Sequence, residues 1–227
     1  MTEPTLADVD RDGALQEAIA GLCGETRAGL LRNATLGGAA MLAALASPAE
    51  AAPMRDVGTL NFCLRFERLQ ATFYTQADQI GTIARMDRAR EEWARTRGAP
   101  ERAHVRSIKQ ILGRKAGPRP FFDFGSANET VDAFTRTAVA MEDLTVALLT
   151  GITPRLHDKQ LTAALFGLLT VEARHAAWAR HIVGATPAPA AFDTPRTLDS
   201  VRGAVARTHF IVRAPRMTAR RPPKFTG

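Results

Sequence analysis

The sequence predicts an all-α protein, an antiparallel four-helix bundle with one long crossover and irregular extensions at both ends. Three observations carry this. Apolar residues recur at helical spacing through four long stretches, and strand signals are scarce. The chain is 45% hydrophobic but only 6% aromatic, a balance that suits an Ala- and Leu-rich helical core. A Pro-containing stretch at 114–127 separates the second helical segment from the third, whereas the other two connections are short. A chain of 227 residues is long enough for one large core plus tails. We divide it into a leader or N-terminal extension (1–51), a bundle (55–185) and a basic, Pro-containing tail (186–227).

The leader supports two readings. Arg27 and Arg32 flank an approach to the apolar run 34–46, and Ala49-Glu50-Ala51 has the small-x-small form of a signal-peptidase site. That run is too short to span a bilayer. On this reading the protein is exported to the periplasm or cell envelope. The alternative is a cytoplasmic protein that keeps the segment, with Leu15, Ile19 and Leu22 on one face of an amphipathic helix. The leader holds seven acids against three bases, so its removal would make a chain of formal charge +7 still more basic.

Four helices are expected at 59–81, 87–112, 129–150 and 154–183. Ser126-Ala127-Asn128-Glu129 has the form of a capping box for the third, and Thr153-Pro154 that of an N-cap followed by Pro at the first helical position for the fourth. Gly113, Gly151 and Gly184 are stop signals. Pro100 falls inside the second segment, where it removes a backbone hydrogen bond and crowds the preceding turn. A kink or restart beside Glu101 is expected there, or else an ordinary helix start. The tail is Arg-rich with regular prolines and reads as extended or disordered chain. Its charge could hold an anionic polymer or a membrane surface.

Six residues carry the chemistry. In chain order they are Glu67, then Glu101 with His104, then Glu142, then Glu172 with His175. Residues at i and i+3 project from one helix face, so each Glu-x-x-His step can offer a carboxylate and an imidazole to one centre. A lone Glu on each of two helices and a Glu-x-x-His on each of the other two is the known template of carboxylate-bridged di-metal bundles. With 5 His in the chain, roughly 0.24 such steps are expected by chance, and two occur. The midpoint between Glu67 and Glu101 is residue 84, and between Glu142 and Glu172 it is 157. Both fall in turn-like sequence, so hairpins closing there set all four carboxylates at one depth. Leu60, Leu64, Ala71 and Tyr74 share a face with Glu67, and Leu165, Leu168 and Trp178 flank the last pair. Charged groups on such faces need partners or metal.

Tyr74, the only tyrosine, lies two turns after Glu67 and could hydrogen-bond a ligand or relay an electron, or simply pack with its hydroxyl satisfied. Asp143 could orient a ligating imidazole or be an ordinary solvated acid. His157, His181 and His209 are expected to be non-ligands. Cys23 and Cys63 fit no metal or redox spacing, and Cys63 is expected to pack as a small hydrophobe.

The wording around these positions adds a resemblance. Asn61-Phe62-Cys63-Leu64-Arg65-Phe66-Glu67 continuing to Phe73-Tyr74, Glu101-Arg102-Ala103-His104-Val105, Glu142-Asp143, and Val171-Glu172-Ala173-Arg174-His175-Ala176-Ala177-Trp178 are similar to bacterial ferritin-like domain proteins of the desiccation-related type. The resemblance spans about residues 55–185. It implies a four-helix bundle with two iron or two manganese ions and says little about substrate.

The function expected is redox chemistry with dioxygen or peroxide, as a di-iron oxidase or ferroxidase or a di-manganese catalase-like oxidoreductase, in a homo-oligomer. The alternative is a non-catalytic metal-binding, stress-protection or scaffold protein that works through the basic tail. Storage of mineral iron comes third, because an export leader and an irregular tail do not resemble a closed cytosolic cage. Deleting the tail after Thr194 is expected to leave metal binding and activity intact, since no candidate ligand lies beyond it.

Overall fold

The computed structural model describes residues 54–213. Residues 1–53, with the small-x-small sequence at 49–51 and Cys23, and the last residues of the tail lie outside the described part. Five α-helices occur there: α1 Met54–Gln79, α2 Arg88–Leu112, α3 Val131–Ile152, α4 Lys159–Ile182 and α5 Leu198–Thr208. The first four are the bundle. None of the described helices is long and apolar enough to cross a membrane.

The first hairpin turns at Gly81, whose φ of 77° is the left-handed conformation that glycine tolerates without steric cost. Asp87 then starts α2 by accepting a hydrogen bond from the backbone of Arg90. Pro100 lies inside α2, and the helix neither restarts nor ends there. The carbonyl that Pro100 leaves without a donor belongs to the exposed Thr96, where solvent can satisfy it.

Two expected helix starts are displaced. Ser126 does not cap α3: residues Gly125–Asn128 form a 3-10 turn, and Thr130 is the N-cap, accepting from the backbone of Ala133. Thr153–Arg155 is likewise a separate 3-10 turn, and α4 begins after Asp158, which accepts from Gln160 and Leu161. In each case a short 3-10 turn absorbs the first capping signal, and a second N-cap residue a few positions later starts the helix.

The long crossover between α2 and α3 is tied to α1 by polar side chains. Asn61 donates to the carbonyl of Lys115 and accepts from the backbone of Gly117, and Arg68 donates to the carbonyls of Gly117 and Pro118. This explains why α1 is buried over most of its circumference, Arg68 included.

The beginning of the tail is folded, contrary to the extended or disordered expectation. Residues 184–197 return along the α3–α4 face, and the backbone N–H of Arg196 donates to the carbonyl of Ala147. A Cβ on Gly151 would sit 2.0 Å from the Arg196 carbonyl oxygen, so this glycine serves close chain approach and does not stop α3, which runs on to Ile152. Helix α5 then buries Val201 and Val205, and Arg202 stacks over Phe62 of α1. Strand β2 Ile211–Val212 pairs antiparallel with β1 Phe121–Phe122 of the crossover. Two residues per strand leave no alternation to detect in the sequence.

Candidate metal centre

Each of the four bundle helices contributes to one buried cluster at mid-height. Glu67 comes from α1, Glu101 and His104 from α2, Glu142 from α3, and Glu172 and His175 from α4. All six are buried, and Glu101, Glu142 and Glu172 are wholly inaccessible. The side chains form two groups, Glu67/Glu101/His104/Glu172 and Glu101/Glu142/Glu172/His175, whose candidate ligand atoms lie within 4.8 Å of one another. Glu101 and Glu172 belong to both. The arrangement that follows is a pair of adjacent positions, each with its own Glu and His and two carboxylates in common.

The contacts are crowded but poorly satisfied. His104 Nδ1 stands 2.8 Å from Glu172 and 3.4 Å from Glu67, and His175 Nδ1 stands 3.3 Å from both Glu101 and Glu172. Yet Glu67 Oε2, Glu142 Oε2, both oxygens of Glu101 and of Glu172, and both Nδ1 atoms have no hydrogen-bond partner. Leaving so many buried polar atoms unsatisfied costs several kcal/mol, of the order of 1–3 each. Ligand atoms that converge without partners are what a bound cation would satisfy. Hard carboxylate oxygens mixed with imidazole suit iron or manganese, so the residues fit the group that the sequence implied.

Electrostatics separates the carboxyls into two classes. Burial raises Glu67 and Glu142, and repulsion from Glu172, with Glu101 at Glu142, adds to it; Glu67 is pushed up to about 8. Burial also opposes ionisation of Glu101 and Glu172, but the two imidazoles beside each hold them below the ordinary carboxylate range. Burial would lower the imidazoles, and Glu172 with its neighbours overcomes this, taking His175 to about 9 and His104 well above its usual value. Without metal, burial and repulsion favour the protonated acid at Glu67 and Glu142, while the neighbouring carboxylates favour the imidazolium at both histidines.

Tyr74 donates its hydroxyl to Glu142 Oε1 at 2.5 Å, which leaves Oε2 of that carboxylate turned to the cluster without a partner. Its ring packs edge-on against Trp93 and Phe134, and Phe73 stacks on Phe134, so one end of the centre is closed by an aromatic wall. Asp143 does not orient an imidazole. It pairs instead with Arg180 on α4 at 2.9 Å. His157 lies in the α3–α4 turn, and His181 and His209 join neither group. Cys63 is a buried free thiol, raised by burial and by Glu67.

Two polar residues were not singled out in the sequence. Asp56, in the first turn of α1, accepts from the backbone of His157 and Asp158 and contacts His157 Nδ1 at 2.9 Å. Arg97 lies buried one turn before Glu101, and that i−4 spacing on a ligand face was the signal available for it.

No curated protein matches the chain. The family model of the ferritin-like domain matches residues 55–185, which begin within the first turn of α1 and end just past α4. With that match laid over a four-helix bundle that gathers Glu and His from every helix, the chain belongs to the ferritin-like domain family.

Proposed function

We propose that this protein holds two iron or manganese ions and carries out redox chemistry with dioxygen or peroxide. One observation carries the reading. Eight candidate ligand atoms of six side chains, from four helices, are buried without hydrogen-bond partners and fall into two groups sharing two carboxylates. Glu67 and His104 would serve one ion, Glu142 and His175 the other, with Glu101 and Glu172 between them. A bound pair would supply one-electron changes at each ion and a place for dioxygen or peroxide to meet them.

The chain's own residues do the rest. Four carboxylates balance two divalent charges, so the loaded core is neutral in a low-dielectric interior. Glu101 and Glu172, which belong to both groups, would hold the two ions together. Tyr74 holds a proton at its hydroxyl and donates it in a hydrogen bond to Glu142 Oε1, at the edge of the cluster. Phe73, Trp93 and Phe134 exclude bulk water from that side.

The test compares wild type with Glu142→Ala. After reconstitution, bound iron and manganese are measured together with the rate of iron(II) oxidation and of peroxide loss. Wild type is expected to bind two ions per chain and to show one of the activities, and Glu142→Ala to lose at least one ion and the activity. Two ions with neither activity would favour the non-catalytic metal-binding or scaffold reading.

A further inference from the structure

The two-residue ladder between β1 and β2 presents an apolar pair to solvent. Phe121 stands opposite Val212 in the antiparallel register, and directly opposed residues share one face of a ladder. Their neighbours Phe122 and Ile211 take the other face and pack against the hydrophobic core. Phe121 is thereby left 51% exposed and Val212 38%.

Bases flank this pair. Arg119 lies two residues before Phe121 and donates through Nη2 to Thr72 Oγ1 of α1 at 3.1 Å. Arg68, one turn before Thr72 on α1, donates to the carbonyls of Gly117 and Pro118, so both guanidiniums are fixed at the same stretch of crossover. Burial, and then the charge of Arg119 beside it, push the Arg68 guanidinium below its ordinary value. The spacing 61, 65, 68 and 72 sets the exposed Arg65 on the α1 face along which the crossover runs. Arg213 follows Val212 and is also exposed. None of these four arginines makes an ion pair among the described residues. Between Glu101 and Glu129 the chain holds six bases and one acid, Asp123, whose Oδ1 accepts from the backbone of Gly125. Residues 213–227 add Arg216, Arg220, Arg221 and Lys224 to Arg213 and contain no acid.

We propose that the β1–β2 ladder and the arginines around it are a docking surface for an anionic lipid bilayer. An exposed aromatic and aliphatic pair flanked by cations matches the edge of such a bilayer, where apolar side chains enter the headgroup region and bases meet lipid phosphates. Two other occupants fit less of the surface. A second copy of this chain would bring arginines that lack ion pairs against one another, a like-charge contact. Duplex nucleic acid would satisfy the arginines but leave Phe121 and Val212 without a role. Residues 213–227 leave the ladder at Val212, so their bases start from the same surface and add to its attraction for anionic headgroups.

None of these residues is a candidate metal ligand, so the surface stands apart from the two-ion reading. The test is co-sedimentation of full-length protein with vesicles of phosphatidylcholine alone and of phosphatidylcholine and phosphatidylglycerol in equal parts. Binding to the mixed vesicles that weakens with added salt, and at least about tenfold weaker binding to phosphatidylcholine, is expected. Arg119→Glu should weaken partitioning at least about tenfold, at about fivefold for each unit of charge. Phe121→Ser should weaken it about fivefold and leave the salt dependence unchanged, because only the apolar contact is lost. Phe121→Trp should bind as wild type does, and its added emission should shift to shorter wavelength as mixed vesicles are supplied. If Phe121→Ser loses its helical circular dichroism, Phe121→Trp and Arg119→Glu decide. No binding to either vesicle, equal binding to both, full binding by Phe121→Ser or an unshifted Phe121→Trp emission would overturn the proposal. Duplex DNA that binds wild type and Phe121→Ser equally, and more tightly than the mixed vesicles do, would put nucleic acid in place of the bilayer. Self-association that Phe121→Ser abolishes, without vesicle binding, would put a second copy there.

Discussion

Glu101 and Glu172 approach each other across the α2–α4 interface so closely that each is counted in both halves of the Glu/His cluster, and no other residue is. Their neighbours differ from them in this respect: Glu67 and His104 belong to one half, Glu142 and His175 to the other.

This asymmetry predicts two classes of ligand variant. Glu67→Gln should leave one ion per chain with nearly wild-type affinity, because the group containing Glu142 and His175 is complete without it. Glu101→Gln or Glu172→Gln should weaken both ions together. Metal content after dialysis against a graded chelator separates the classes, and equal losses in all three variants would refute the shared assignment.

Metal loading should release protons. Glu67 and Glu142 are raised by burial and repulsion, and His104 and His175 are raised by Glu172 and its neighbours, so all four shifts favour the protonated form in the metal-free protein. Two divalent ions require all four deprotonated, so about four protons per chain should appear in a pH-stat titration near pH 7. Affinity should fall steeply as pH drops, since each retained proton competes with an ion. Release of fewer than about two protons would contradict the charge balance.

Asp56 predicts an acid-sensitive clasp between the start of α1 and the α3–α4 turn. Burial opposes its charge, but the His157 ring and the backbone N–H groups of His157 and Asp158 more than offset that, so its carboxyl lies below the usual range. A carboxyl depressed in this way contributes stability above its unfolded pKa, and the contribution is lost as pH falls through the lower folded value. Asp56→Ala should cost about 1–3 kcal/mol at pH 7 through unsatisfied N–H groups. The difference from wild type should shrink as pH falls below about 4. Urea unfolding of both proteins at pH 7 and at lower pH measures it, and a pH-independent difference would exclude the clasp.

Removing the chain after Thr194 should do more than shed charge. It deletes α5, with buried Val201 and Val205, the β2 strand, and the Phe210 ring that packs 5.2 Å from Phe124. Loss of those contacts should cost about 3–6 kcal/mol, at about 1.5–3 kcal/mol for each of the two buried valines. The melting temperature should fall by about 10 °C for a domain of this size. The candidate ligands all precede the cut, so a truncated protein that stays folded should still take up metal. An unchanged melting temperature would show that the packing of α5 contributes nothing.

The bundle and the six clustered residues were legible in the sequence because both rest on local regularities. Helical spacing placed Leu60, Leu64, Glu67 and Tyr74 on one face, and equal distances from the two turns brought Glu67 level with Glu101 and Glu142 level with Glu172. What the sequence did not reveal depends on contacts between distant segments. Ser126 and Thr153 carry good capping chemistry, yet each lies on a 3-10 turn that ends before the helix begins. Gly151 has the form of a stop signal, and only the approach of Arg196 shows why it has no side chain. Asp56 precedes the expected start of the first helix at residue 59 and looks like any solvated acid until His157 is seen to close over it. The folded start of the tail was hidden because α5 is short and its two buried valines sit among arginines.

The most direct test of the two-ion centre is anomalous diffraction from crystals of the manganese-reconstituted protein, collected above the manganese edge. The account predicts two peaks per chain about 3.5–4 Å apart, one beside Glu67 and His104, the other beside Glu142 and His175, with Glu101 and Glu172 between them. A single peak, or none at full manganese occupancy of the crystallisation solution, would contradict it.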